Sequence, residues 1–288
     1  MTNFELDTLA PGIPRVSNYM SLLTTNMFHE MESFNNEFIK RNPHALTTDH
    51  TVADGFHTWS RQWEYPFTYS YIRQYLSEKV HADDEVRILD AGSGYTFFPY
   101  YLSEKYPNCK MDCCDRDVSL AQLYLQANKK RTSSVDFEVH NLANMGYEDN
   151  FFDIVYCISV LEHTENYGDI VKEFKRILKP EGLLVLTFDI SLDRRAKITK
   201  GICQNILNEL GKYFRANVSL NLDDAIANIS ERDMLTTKFM KMHDEHLLPP
   251  WRRYFNIFTI IRQLLKGKLP RPFYYLTVFC GVYKQIDD

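Results

Sequence analysis

An acidic residue followed by a glycine turn is the feature of the chain that points most directly to chemistry. Asp90 lies near the end of the apolar run Val86–Ala91, and Gly92-Ser93-Gly94 follows directly. Glycine lets a backbone approach a ligand closely, and open α/β sheets bind ligands at the carboxyl ends of their strands. A carboxylate there attracts an ammonium group and repels a pyrophosphate. Phe97 stands where a dinucleotide-binding G-x-G-x-x-G sequence has its third glycine, which argues against a dinucleotide.

A second acid follows one strand and one helix later along the chain. The strand-like run Lys110–Asp115 also ends in an acid, and a carboxylate in that place can accept hydrogen bonds from both hydroxyls of a ribose. S-adenosylmethionine carries a ribose and an ammonium and has no phosphate. The two acids therefore favour it as the cofactor, and a solvated strand-end acid is the alternative interpretation of Asp115.

The middle of the chain alternates short apolar runs with amphipathic helical segments. This alternation predicts parallel strands joined by right-handed crossovers, hence a doubly wound α/β sheet. The predicted strands lie at 86–91, 110–115, 135–140, 153–159, 183–189 and 274–285, with helices at 98–106, 119–130 and 170–178.

The order of these motifs resembles that of class I S-adenosylmethionine-dependent methyltransferases. Asp90–Gly94 is similar to the family's motif I and Asp115 to its ribose-binding acid, while Asn150–His163 resembles its fourth strand and Leu178–Val185 the turn into its fifth. The resemblance covers about residues 86–190. It implies a seven-stranded, mostly parallel sheet whose last strand is antiparallel.

Two predicted units follow from this resemblance and from the helical patterns on either side of it. Residues 1–81 are expected to form a helical N-terminal extension or lid. Residues 82–288 are expected to form the S-adenosylmethionine-binding α/β domain, with a helical insertion at about 191–272 before the last strand.

The resemblance also implies which residues bind the cofactor. Asp90 would hold the methionine ammonium, Asp115 the ribose, and Asn141 with Leu142 the adenine. Asn141 replaces the more usual acid but keeps an acceptor oxygen for the adenine amino group, and Thr96 replaces the family's third glycine. The complete predicted set is Asp90, Gly92, Ser93, Gly94, Asp115, Arg116, Asn141, Leu142 and Ser159.

Two residues are candidates for catalysis. His163, at the carboxyl end of the fourth strand, suits a proton acceptor near neutral pH, and a packing histidine is the alternative. Tyr65 lies in the aromatic segment His57–Tyr69, where Trp59 and Trp63 are one helical turn apart. This segment is either a helix packed on the core or a lid that excludes water and stabilises a sulfonium through cation–π attraction.

Charge, hydropathy and residue spacing limit the classes of partner that the chain is expected to bind. A net charge of -5 and a pI near 6.0 offer no overall field for nucleic acid. Neither a secretory signal in Met1–Pro14 nor a bilayer-spanning apolar run is recognisable, which predicts a cytoplasmic protein without stable membrane insertion. His243 and His246 lack further ligands at matching spacing, so we expect no metal. The oligomeric state is left open.

These observations predict a methyltransferase that acts on a small-molecule substrate, with S-adenosylmethionine as the methyl donor. Two alternatives stay open. One is an enzyme that breaks the aminocarboxypropyl bond instead, either transferring that group or closing it to azetidine-2-carboxylate with release of methylthioadenosine. The other is a non-catalytic binding protein with a methyltransferase-like fold. The acceptor and the atom modified cannot be predicted from the motifs.

Overall fold

The computed structural model describes residues 9–43, 54–79, 85–131, 135–193, 199–216, 221–248 and 275–286. Part of the predicted helical insertion, including all of residues 249–274, lies outside the described residues. No helix in the described ranges is long and apolar enough to cross a membrane.

A seven-stranded sheet forms the centre of the fold, in the order β3-β2-β1-β4-β5-β7-β6. Strands β1 to β5 pair in parallel, and β7 is antiparallel to both β5 and β6. The predicted class I methyltransferase-type α/β fold is therefore confirmed. The strands are β1 (Val86–Ala91), β2 (Cys109–Asp115), β3 (Asp136–Val139), β4 (Phe152–Ile158), β5 (Leu178–Ser191), β6 (Phe214–Ala216) and β7 (Leu276–Gln285).

Two strands depart from the prediction by more than one or two residues, since β6 was not predicted and β5 is longer than expected. The three-residue strand β6 lies at the end of a segment with helical periodicity, and three residues are too few to show an alternating pattern. Strand β5 begins at Leu178 rather than Leu183, because the predicted turn is built into the strand as a bulge. Phe152 pairs with Leu178 and Ile154 with Leu183, and Glu181 adopts a φ of 58° between them.

Helices cover both faces of the sheet and extend the chain at either end. Helices α4 to α6 follow β1, β2 and β4, while α7 to α9 lie between β5 and β7. The helices are α1 (Val16–Leu22), α2 (Asn26–Arg41), α3 (Arg61–Lys79), α4 (Phe98–Lys105), α5 (Leu120–Asn128), α6 (Tyr167–Ile177), α7 (Lys200–Tyr213), α8 (Leu222–Ala227) and α9 (Thr237–His243), with 3₁₀ turns at Leu161–His163 and Glu245–Leu247.

Successive strand residues point to opposite faces, so each buried strand contributes to two hydrophobic clusters. In β4, Ile154 faces a cluster that includes residues of α3, α4 and α5, whereas Val155 faces one formed with α6 and α7. Burial on both faces explains why the strands read as continuous apolar runs. The carboxyl ends of the parallel strands remain free to form a site.

Helix α3 packs directly on the sheet. Trp63, Phe67 and Ile72 are each no more than 1% exposed and belong to the larger cluster. The segment before α1 is tied to the last strand, since the backbones of Gly12 and Cys280 exchange two hydrogen bonds of 2.7 and 2.9 Å. In the described part of the chain, helices α1, α2 and α3 precede β1, and α3 forms one layer of the core.

Candidate functional site

A cavity of about 950 Å³ opens at the carboxyl ends of β1, β2 and β4. It is lined by every site residue predicted from the sequence, together with residues of the segment that leads into α3. A surface groove of similar volume, near Arg176 and Tyr213, contains none of them. The predicted residues that line the cavity are Tyr65, Asp90, Gly92, Ser93, Gly94, Asp115, Arg116, Asn141, Leu142, Ser159 and His163.

The turn after β1 depends on its two glycines. Gly92 and Gly94 have φ angles of 77° and 54°, in the left-handed region that favours glycine. A Cβ at Gly92 would lie 2.6 Å from a methyl group of Val160, whereas one at Gly94 meets no atom within 4 Å. Gly92 therefore allows the turn to pack against the chain that follows β4, and Gly94 leaves open space.

Gly92→Ala is expected to lower the free energy of unfolding by about 1–3 kcal/mol, because it adds steric overlap to an unfavourable φ. Urea denaturation followed by circular dichroism measures this loss. Gly94→Ala is the matched control, since it has the backbone cost without the overlap and is expected to lose less. Equal losses in the two variants would contradict the packing argument.

Asp90 is a buried acid at the head of this turn. Its side chain lines the cavity, yet the residue is only 5% exposed. Burial raises the pKa of Asp90 to about 8, and Asp115 acts in the same direction, while Tyr156 and Arg61 oppose the rise. A cation that enters the cavity would stabilise the ionised carboxylate and lower this pKa. Asp90 therefore suits an ammonium ligand.

The raised pKa predicts a pH-dependent affinity for an ammonium ligand. Below pH 8 Asp90 is mostly protonated, so binding as an ion pair must release that proton. We expect the affinity for S-adenosylhomocysteine to rise about tenfold from pH 6 to pH 7 and to level off near pH 8. Calorimetry in buffers of different ionisation enthalpy should detect the released proton at pH 7. The Asp90→Asn variant should lose this dependence, and an unchanged slope would contradict the assignment.

Asp115 is held in a fixed orientation at the end of β2. Its Oδ2 atom accepts a hydrogen bond of 3.0 Å from the Gly94 backbone amide, and Oδ1 accepts one of 3.0 Å from Asp117. Each carboxylate oxygen can accept more than one hydrogen bond. The carboxylate can thus also accept bonds from a bound diol, and Arg116 lines the cavity beside it.

The side of the cavity after β3 is formed by His140, Asn141 and Leu142. The Oδ1 atom of Asn141 accepts a hydrogen bond of 3.1 Å from the Ala143 amide, which fixes the side chain in a local turn. Leu142 is 8% exposed and presents an apolar surface. An amide beside an apolar side chain suits a flat heterocycle such as adenine.

The remaining side of the cavity is formed by a hydrogen-bonded network that sequence analysis missed. Arg61, on α3, donates from Nη1 to Ser159 Oγ over 2.6 Å and pairs with Glu64. Glu64 is fully buried, and its Oε1 accepts from Ser159 over 2.7 Å and from Thr187 over 2.6 Å. Ser159 has a φ of 50°. The available signal was a charged pair, Arg61 and Glu64, in the aromatic first half of α3.

The two catalytic candidates differ in their surroundings. Tyr65 is 4% exposed, and its hydroxyl bonds to the Thr96 side chain. Burial raises the pKa of Tyr65 to about 12, with Arg61 opposing the rise, so Tyr65 is a hydrogen-bond donor rather than a base at neutral pH. His163 is itself exposed, at the end of the 3₁₀ turn that follows β4, and it lines the cavity.

Phe97 is only 1% exposed and packs edge-on against Tyr65, with ring centroids 5.1 Å apart. Dinucleotide-binding folds have a glycine at this position, in the tight turn that binds the pyrophosphate. A buried phenylalanine there does not fit that turn. Among the described residues, no cluster of three or more histidine, cysteine or acidic side chains is arranged to hold a metal ion.

Comparison with known proteins places the glycine turn and the strands around it in a family. A family model described as a methyltransferase domain matches residues 89–186, the segment from the middle of β1 into β5. Residues 89–186 are thus similar to methyltransferase domains. This matched segment supplies most of the cavity wall, and helix α3 with the segment before it supplies the rest.

Curated proteins similar to this segment include an N-methyltransferase and an O-methyltransferase. The glycine/sarcosine/dimethylglycine N-methyltransferase of Actinopolyspora halophila is 28% identical over 130 residues, 43% of this chain and 22% of that protein. The ubiquinone biosynthesis O-methyltransferase of Rickettsia typhi is 26% identical over 137 residues, 45% of this chain and 54% of that protein. The chain thus spans only part of the length of these relatives.

Solved structures resemble a larger share of the chain. A methyltransferase from Aquifex aeolicus that depends on S-adenosylmethionine covers 76% of this chain and 89% of its own, with a TM-score of 0.45 and 14% identity.

Proposed function

We propose that this protein is an S-adenosylmethionine-dependent methyltransferase that acts on a small-molecule acceptor. The observation that carries the proposal is the pair of acids at the ends of adjacent parallel strands. Asp90 is buried beside the Gly92 turn, and Asp115 is oriented by the Gly94 amide. A buried acid fits an ammonium, and an oriented carboxylate fits a ribose diol, so the residues present fit this cofactor.

When bound, the cofactor supplies a methyl group already activated by a sulfonium. The chain therefore has to orient the two reactants and exclude water from them. Asp90, Asp115, Asn141 and Leu142 would fix the cofactor along its length. The aromatic ring of Tyr65 would help to keep the reacting end dry.

The acceptor is proposed to be small because the cavity is a concave space of about 950 Å³, within the range of small-ligand sites. The names of two relatives, an N-methyltransferase of glycine and sarcosine and an O-methyltransferase of ubiquinone biosynthesis, are consistent with a small-molecule acceptor. We propose His163, at the edge of the cavity, as the group that takes a proton from the acceptor.

The products test the reaction directly. Methyl transfer leaves S-adenosylhomocysteine, whereas attack on the aminocarboxypropyl carbon leaves methylthioadenosine. The purified protein should be incubated with S-adenosylmethionine, first alone and then with glycine, sarcosine or a metabolite extract, and the nucleoside products separated.

Acceptor-dependent formation of S-adenosylhomocysteine is the expected result. If methylthioadenosine forms at a catalytic rate without an acceptor, the reaction is cyclisation of the aminocarboxypropyl group and not methyl transfer. If neither product forms with any acceptor while the cofactor binds, the protein is a non-catalytic binder. A His163→Ala variant that keeps cofactor affinity but loses turnover would support the proton-transfer role.

A further inference from the structure

Residues 54–60, the wall segment, lead into α3 and form part of the cavity wall. Gly55 and Thr58 line the cavity. Between them, Phe56 is fully buried, with its ring centroid 5.1 Å from that of Phe28 on α2. The position of this part of the cavity wall therefore depends on how the wall segment is attached to its neighbours, and α2 is one of them.

His57 joins the wall segment to α2 through both of its ring nitrogens. Its Nδ1 atom lies 2.7 Å from Oδ2 of Asp54, and its Nε2 atom lies 3.1 Å from Oε1 of Glu32 on α2. Ionised carboxylates only accept hydrogen bonds, and an imidazole donates from both nitrogens only when it is protonated. The geometry therefore fits an imidazolium held between two carboxylates.

The Asp54 side chain is fixed by bonds on both sides. Its Oδ1 atom accepts a hydrogen bond of 2.8 Å from Asn35 on α2 and one of 3.1 Å from the His57 backbone amide. The Thr58 hydroxyl donates to the Asp54 carbonyl over 3.3 Å. Thr58, which lines the cavity, thus belongs to the same turn as the two residues that contact α2.

Further charged groups come from α2 and from the turn after α9. On α2, His29 lies 4.0 Å from Glu32. The Trp59 backbone amide donates to the Leu247 carbonyl over 2.7 Å, which places the wall segment against that turn. The titratable residues of the turn are Asp244, Glu245 and His246. Carboxylates on all of these elements favour the charged form of His57.

The electrostatics of the pair agree with this geometry. The hydrogen bond to Asp54 raises the pKa of His57 to about 8, burial opposes the rise, and the charges of Asp54 and Glu32 add to it. Burial would raise the pKa of Asp54, but the bonds from His57 and Asn35 outweigh it and lower that pKa. A histidine with a raised pKa stabilises the tied form fully below its ordinary pKa of about 6.5, and the stabilisation is lost as the pH rises through 8.

We propose that His57 is a positioning residue of the cavity, which as an imidazolium ties the wall segment to α2 and on deprotonation lets Gly55 and Thr58 move away from the cavity. A neutral imidazole keeps one N–H, which can stay with the shorter bond to Asp54, so the bond to Glu32 is lost. The Asn35 bond and the packing of Phe56 remain, so the wall segment loosens without unfolding. This inference concerns the cavity wall and goes beyond the identity of the ligand.

Amide hydrogen exchange of the ligand-free protein tests the inference. Mass spectrometry of peptides that cover residues 54–60 should be done at pH 6 and pH 9, with each rate divided by that of the unfolded chain at the same pH. We expect protection of the wall segment to fall about 10- to 20-fold, as pKa values of about 8 in the tied form and about 6.5 in the released form imply. The lower figure applies where salt screens the half-exposed carboxylates. Protection of β1 and β4 should not change.

Three variants complete the experiment. His57→Gln can still donate a hydrogen bond but does not titrate, so its protection should already be low at pH 6 and should not fall further. Glu32→Gln keeps the bond to Asp54 and removes one carboxylate, so its protection should fall less than about fivefold. His29→Gln is the matched control, because it removes a more exposed histidine of the same helix, and it should keep the wild-type profile.

Saturating S-adenosylhomocysteine connects the wall segment to the ligand, and bound ligand should raise the protection of residues 54–60 at both pH values. Equal protection at pH 6 and pH 9 in the wild type, or a fall that persists in His57→Gln, would overturn the inference. So would a fall that extends through β1 and β4, or a bound ligand that leaves the wall segment unchanged. If His57→Gln does not fold, the comparison of Glu32→Gln with His29→Gln decides instead. Failure to bind S-adenosylhomocysteine at all would contradict the proposed function, while the ligand-free measurements would still decide the role of His57.

Discussion

Asp90→Asn should weaken the binding of S-adenosylhomocysteine about 10- to 100-fold at pH 8. Asparagine keeps the shape of the side chain but replaces a charge-assisted hydrogen bond to the ammonium, worth about 1.5–3 kcal/mol, by a neutral one. The measurement is best made at pH 8, where about half of the Asp90 side chains are ionised before binding, because the pKa of Asp90 is about 8. Calorimetry reports the change directly.

Asp112→Asn is the matched control for this prediction. Asp112 is an equally short buried acid, 8% exposed, on the neighbouring strand β2, and it does not line the cavity. Its replacement should leave the affinity unchanged. The affinity for S-adenosylhomocysteine should fall in Asp90→Asn alone. A fall in both variants, or in neither while both stay folded, would contradict the assignment of Asp90 to the cofactor site.

Trp63→Ala should lower the free energy of unfolding by about 3–5 kcal/mol, the range for removing a large aromatic side chain from a core. Trp63 is 1% exposed and belongs to the cluster that α3 forms with the sheet. The loss should appear as a lower midpoint in urea denaturation. Trp63→Phe fills part of the same space and should lose less.

This prediction separates the two interpretations of the aromatic segment. A lid that only covers the cavity could lose Trp63 with little effect on global stability. A loss below about 1 kcal/mol would therefore contradict the description of α3 as a layer of the core. Helix α3 can both pack in the core and line the cavity. Trp63 and Phe67 lie in the core, whereas Arg61 and Tyr65 line the cavity.

The fold was predictable because its signals are local. The central parallel strands β1, β4 and β5 are buried on both faces and read as apolar runs, and each crossover helix shows its own periodicity. The positions of Asp90 and Asp115 could also be predicted, because each acid lies at or near the end of a strand that the local pattern indicates. That all the predicted site residues line one cavity follows from the topology of the sheet.

The network around Arg61 was not predictable for the opposite reason. Its bonds join α3 to β4 and β5 across 98 and 123 positions of sequence, and no local pattern records which distant hydroxyls meet a buried carboxylate. Strand β6 is too short to show its period. The acceptor depends on the same kind of long-range placement, so the motifs do not specify it.

The measurement closest to the central claim is a calorimetric comparison of S-adenosylmethionine, S-adenosylhomocysteine and NAD at pH 8. The buried Asp90 beside the Gly92 turn and the core position of Phe97 predict that both adenosyl compounds bind in the micromolar range and that NAD does not bind. NAD binding with comparable affinity, or no binding of either adenosyl compound to the folded protein, would contradict the assignment of this cavity.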